Sequence, residues 1–143
     1  MISVREVMTA DVITALESDT AFSAACKMVE HNIGCLVVCA GKKPVGIVTD
    51  TDLIKRVICE KTSSFETELR EFMSSPVVSA HPLMLIDEVA ELMQKNNIKR
   101  LPVVDSSSGE LVGIVSAKDL IAAEKNMITV LHNYLDSMRK GKQ

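Results

Sequence analysis

The sequence predicts a mixed α/β fold of the α+β class, built from two tandem copies of one β-α-β-β-α unit. Three observations predict it. Laying residues 4–38 over 69–103 without a gap gives 11 identities in 35 positions, among them Arg5/Arg70, Glu6/Glu71, Met8/Met73, Asn32/Asn97 and Leu36/Leu101; chance gives about two at average residue usage. After two extra residues in the loop Asp105–Gly109 the match resumes, with Val45-Gly46-Ile47-Val48-Thr49 over Val112-Gly113-Ile114-Val115-Ser116 and Asp52-Leu53-Ile54 over Asp119-Leu120-Ile121. Finally, 47% of residues are hydrophobic and only Phe22, Phe65, Phe72 and Tyr134 are aromatic, so the core is aliphatic.

The elements follow in order. Val12-Ile13-Thr14 and Val77-Val78-Ser79 are runs rich in β-branched residues that read as short strands. Ala21, Ala24, Ala25 and Met28 recur at the spacing of an amphipathic helix, and Ile86, Val89, Ala90 and Met93 repeat the stripe. Asn32 and Asn97 follow, residues that tolerate the left-handed conformation ending a helix. Cys35–Cys39 and Leu101–Val104 are apolar runs of buried-strand length. Turns at Gly41–Pro44 and Ser106–Gly109 lead to the Val-Gly-Ile-Val strands, after which a second helix begins. Residues 1–59 form the first unit, 60–68 a polar linker, 69–125 the second unit and 126–143 a tail. A unit of about 55 residues is marginal alone, so two copies share a core. The tail carries a helical stripe of Met127, Leu131, Tyr134, Leu135 and Met138, with Arg139 and Lys140 suited to a C-terminal turn. That stripe packs either on its own chain or on a second copy; a homodimer is expected.

Composition narrows the partners. Sixteen basic against nineteen acidic residues leave a net charge of −3, without a basic field for a phosphate backbone. Base-stacking platforms need aromatic faces that this chain lacks. Nucleic acid is not an expected partner. No apolar run reaches the roughly 18 residues of a membrane span, and Arg5, Glu6 and Asp11 interrupt any secretory signal. All four cysteines (Cys26, Cys35, Cys39, Cys59) lie in the first 59 residues, unlike a disulfide scaffold. A reduced, cytoplasmic protein is expected.

No catalytic motif is present, and His31, His81 and His132 are scattered. A metal site drawn from Cys35, Cys39 and His31 lacks the tight paired spacing of structural zinc. Strand cysteines within an apolar run are ordinarily packing. Neither an enzyme nor a metal centre is expected.

The repeated element Gly-Ile-Val-[Ser/Thr]-x-x-Asp carries the most chemistry. A hydroxyl and an acid three positions on, at a strand-to-helix junction, form a capping box. The same atoms suit a ligand: a helix start attracts phosphate, and a fixed carboxylate suits a ribose diol. Spacing alone leaves both open.

With this element, the chain resembles a tandem pair of CBS domains, a Bateman module. Glu6-Val7-Met8-Thr9, Ile33-x-x-Leu36-Val37-Val38 and Gly46-Ile47-Val48-Thr49-Asp50-Thr51-Asp52-Leu53 carry the resemblance in the first copy. Glu71-Phe72-Met73-Ser74, Ile98-Lys99-Arg100-Leu101-Pro102-Val103-Val104-Asp105 and Gly113-Ile114-Val115-Ser116-Ala117-Lys118-Asp119-Leu120 carry it in the second. The resemblance implies two units related by a pseudo-twofold axis, commonly dimerising. It implies a sensor that binds an adenosine-containing ligand (AMP, ADP, ATP or S-adenosylmethionine) between the copies, requires no cofactor and acts on a downstream protein target. A ligand-free interaction module is the alternative.

Mapped by the resemblance, the first cleft pairs Ile47, Thr49, Thr51 and Asp52 with Val78, Ile98, Lys99, Arg100 and Pro102. Asp52 would take the ribose, Arg100 the phosphate, and Ile47, Val78, Ile98 and Pro102 the base. The second cleft, expected to be weaker, pairs Ile114, Ser116, Lys118 and Asp119 with Ile13, Ile33, Gly34, Cys35 and Val37. There Cys35 stands at the basic position, leaving Lys118 to meet phosphate.

Overall fold

In the computed structural model, which describes residues 1–141 and the side chains of residues 1–138, each copy packs its strands under two helical segments. The strands are β1 (Thr14–Leu16), β2 (Cys35–Ala40), β3 (Lys43–Thr49), β4 (Arg100–Val104) and β5 (Leu111–Ser116). The α-helices are α1 (Val4–Val7), α2 (Ala21–His31), α3 (Asp50–Leu53), α4 (Ile86–Asn96) and α5 (Ala117–Gly141), with a π-helical segment Ile54–Ile58 continuing α3 and a 3-10 turn at Leu69–Glu71. In the first copy β1 runs parallel to β2, and β2 antiparallel to β3. In the second, β4 pairs antiparallel with β5. Thr20 caps α2 by accepting the Ser23 amide at 3.1 Å. Asn32 and Asn97 end α2 and α4 at φ 52° and 53°, in the left-handed region their side chains tolerate.

The first strands differ from the sequence expectation. The ladder of β1 starts only at Thr14, opposite Val37, so Val12 and Ile13 stay unpaired although β2 already begins at Cys35. No strand forms over Val77–Ser79. Ala80 alone completes a parallel bridge, its amide donating to Pro102 at 2.9 Å and its carbonyl accepting from Val104 at 2.8 Å. The residues freed from the sheets line cavities instead.

The copies interlock through the segments that precede their first strands. Val4 is fully buried in the second copy's cluster with Val89, Leu101, Val103 and Val115. Leu69 is fully buried in the first copy's cluster with Leu36, Val38, Val48 and Val57. Matching hydrogen bonds hold each crossing. The Val4 amide donates to the Met84 carbonyl at 2.8 Å, and the Leu69 amide to the Asp19 carbonyl at 2.9 Å. Thr9 exchanges two amide bonds with Ile114, both 2.9 Å, and Ser74 does the same with Ile47 at 2.9 and 3.2 Å. Glu6 and Glu71 each accept, at 2.7 Å, the amide three residues back, from Ser3 and Glu68. Each crossing ends on a methionine laid over a glycine of the other copy, Met73 on Gly46 and Met8 on Gly113.

The linker is docked. Thr67 and Ser64 accept the amides of Ala21 and Phe22, and Phe65 packs on Phe22 with ring centroids 4.7 Å apart. The tail is not a separate element; α5 continues 25 residues without a break, about 37 Å at 1.5 Å per residue. Its stripe does not fold back, since Met127, Leu131, Leu135 and Met138 are exposed by 40–60%. The side chains of Arg139 and Lys140, expected in a C-terminal turn, lie outside those described. Among the described residues no helix is long and apolar enough to cross a membrane.

Candidate functional site

Two cavities open between the copies, and equivalent positions of the repeat build both. The larger, about 510 Å³, lies between the β3–α3 junction and the second copy. The junction supplies Ile47, Thr49, Thr51 and Asp52. Facing them are Val78 from the segment before Ala80, and Ile98, Lys99 and Arg100 from the turn into β4. Eight of the nine residues expected for the first cleft therefore share one cavity. Pro102 does not line it. It sits two residues along β4 from Arg100, opposite Ile114, and is fully buried.

The smaller cavity, about 300 Å³, places Ile114, Ser116 and Asp119 opposite Ile13, Ile33, Gly34 and Cys35. Two expected members are elsewhere. Val37 is fully buried in the middle of β2, and Lys118 is exposed and absent from the cavity wall. Arg100 lines this cavity as well as the first. The second cleft's cation is thus Arg100, and Lys118 is corrected out of that role. The reason is register: Arg100 starts β4 directly opposite Ser116 at the end of β5, on the seam between the clefts.

The hydroxyl–acid pairs are capping boxes. Asp52 Oδ2 accepts the Thr49 amide at 2.9 Å while Thr49 Oγ1 accepts the Asp52 amide at 3.1 Å. Ser116 and Asp119 repeat this at 2.9 and 3.2 Å. The cap uses one carboxylate oxygen; among the described residues Asp52 Oδ1 meets only Arg56 Nε, at 3.9 Å. The cap therefore leaves the second oxygen of this carboxylate unused.

Charge separates the clefts. Lys55, unremarked in the sequence, joins Lys99 and Arg100 in the first, giving three cations against Asp52. It lies one helical turn after Asp52, a spacing that marks it as a neighbour on the same face. Its counterpart in the repeat is Ala122. In the second cleft Asp11, standing where the first has Pro76, joins Asp119, giving two carboxylates against Arg100. Gly34 stands where the first cleft has Lys99, and a Cβ added there would sit 2.9 Å from Asp50 Oδ2. Burial pushes the Cys35 thiol up to about 11, with Asp52 and Asp50 raising it further and Arg100 opposing them. Cys35 therefore stays a neutral thiol at pH 7, a wall and not a nucleophile. Burial raises Cys39 as well. Among the described residues no three His, Cys, Asp or Glu side chains converge on a metal position.

The family model for the CBS domain matches residues 4–58 and again 69–126. The chain belongs to the CBS-domain family. It is a tandem CBS pair, and an uncharacterized protein of Methanopyrus kandleri is 35% identical over 140 residues, 97% of this chain and 71% of that one. The inosine-5'-monophosphate dehydrogenase of Korarchaeum cryptofilum is 36% identical over 116 residues, which are 81% of this chain but only 23% of the enzyme. The CBS domain pair of protein MJ0100, solved in complex with 5'-methylthioadenosine and S-adenosyl-L-methionine, superposes with a TM-score of 0.79 at 30% identity, covering 89% of this chain and 98% of that one.

Proposed function

We propose that this CBS pair is a regulatory module that binds an adenosine-bearing ligand (AMP, ADP, ATP or S-adenosylmethionine) between its copies and performs no catalysis. The observation that carries the reading is the first cavity. Ile47, Val78 and Ile98 offer apolar walls to a base, Asp52 Oδ1 is available to a ribose, and Lys55, Lys99 and Arg100 offer charge to phosphate. The pair of MJ0100, similar along nearly its whole length, binds two adenosine compounds. No cofactor is needed for binding, and the output passes to a protein target in the cytoplasm.

Thermal unfolding with AMP, ATP and S-adenosylmethionine tests the reading. A ligand at 100 times its Kd stabilises by about 2.7 kcal/mol, which raises Tm by on the order of 5–10 °C for a chain of this size. No shift with any adenosine compound supports a second reading, a ligand-free interaction module. The complete capping boxes favour that reading, since they explain the Thr49/Asp52 and Ser116/Asp119 pairs without a ligand.

Self-association belongs to the same proposal. The groove between α4 and α5 is lined by Leu85, Ile86, Met93, Ile121 and Met127, and the exposed stripe of α5 continues it. An apolar surface this continuous suits a symmetric second copy. Light scattering is expected to give twice the 15.6 kDa chain mass; the single-chain mass at micromolar protein refutes the dimer.

A further inference from the structure

The two clefts hold very different charge but meet at one side chain. Among the described residues, Arg100 is the one cation that lines both cavities. It forms none of the ion pairs found among the described residues, so its guanidinium is not committed to a carboxylate. The Cys35 thiol, on the far wall of the second cleft, feels its positive charge. One guanidinium fork cannot hold a phosphate on each side at full strength. The clefts also differ in what remains without it. The first keeps Lys55 and Lys99, whereas the second keeps only the carboxylates of Asp11 and Asp119.

We propose that Arg100 is shared, so that a phosphorylated adenosine ligand in the first cleft claims it and leaves the second selective for uncharged or cationic adenosine derivatives. This rests on the adenosine reading above and adds a rule for how the clefts divide ligands. With the first cleft empty, the second can recruit Arg100 and hold a phosphate. With the first loaded, an incoming phosphate meets two carboxylates and no free cation. The coupling is negative for nucleotide pairs and absent for pairs of unphosphorylated nucleosides.

Calorimetry on the full chain with AMP and adenosine tests it. In the native protein the second AMP is expected to bind about tenfold or more weakly than the first, the worth of a charge-assisted bond. Adenosine still enters the second cleft once one AMP per chain is bound. Filling the first cavity with Val78→Trp, or with Ile98→Trp should the former not fold, leaves only the second cleft. There AMP is expected to bind about tenfold more tightly than in the native second step. Adding Arg100→Ala to that background removes the gain and leaves adenosine unchanged. Two native AMP steps of equal affinity, or a filled variant whose AMP affinity ignores Arg100→Ala, overturn the sharing while adenosine binding keeps the ligand reading. Absence of binding by both compounds overturns the reading and the sharing together.

Discussion

Leu69→Ala is expected to cost about 2–5 kcal/mol of stability, the range for truncating a fully buried leucine in a core that cannot collapse around the gap. Leu69 shows no exposed surface and sits among Leu36, Val38, Val48 and Val57 of the first copy, although its sequence position assigns it to the second. Urea unfolding should show the midpoint falling with the slope unchanged. The transition should also remain single, because the crossing segments tie both cores to one event. Two separated transitions, with the first copy melting early and the second at its native midpoint, would show that the copies are not interlocked.

Gly46→Ala follows from the same crossing and is expected to cost about 1–3 kcal/mol, as overpacking does. A methyl at Gly46 would sit 2.8 Å from Met73 Cγ and 3.2 Å from its Cβ, too near the backbone for the thioether end alone to swing clear. The check is a double-mutant cycle by chemical denaturation. Met73→Ala opens the space, so the double variant should be less destabilised than the two single losses added together. Strict additivity would mean that the methionine is not what excludes a side chain at Gly46. Gly113 offers a stiffer version, since its methyl would meet the Thr9 carbonyl oxygen at 3.0 Å as well as Met8 Sδ at 2.6 Å.

The repeat was legible because its identities are the residues that make the structure. Asn32 and Asn97 end helices, Glu6 and Glu71 cap entry turns, and Met8 and Met73 cover glycines. The crossing itself was not legible. An alignment registers Val4 with Leu69 but says nothing of whether each packs at home or across, since both choices bury the same side chains. The short first strands were misplaced because Val and Ile at positions 12, 13, 77 and 78 suit a strand and an apolar cavity wall equally. In the first cleft, the resemblance brought together eight residues that the cavity gathers. Pro102 and Val37 fell out because their places in mid-strand bury them, and Lys118 because its helix turns it to solvent. Arg100 illustrates the limit of one-to-one mapping. A correspondence assigns each residue to one cleft, whereas a long side chain at the seam lines both.

The exchanged segments also set an order of events during synthesis. The first sheet leaves the ribosome before Leu69 and Phe72 exist, so its aliphatic layer stays uncovered until the linker and the following turn have been made. Val4 waits longest. It emerges ahead of the whole first sheet, yet its hydrophobic neighbours are not complete until Val115 and Leu120 have been added. Contacts so distant along the chain close slowly and expose sticky surface in the interval. The nascent first copy is therefore the stretch of this protein on which a chaperone has most to do.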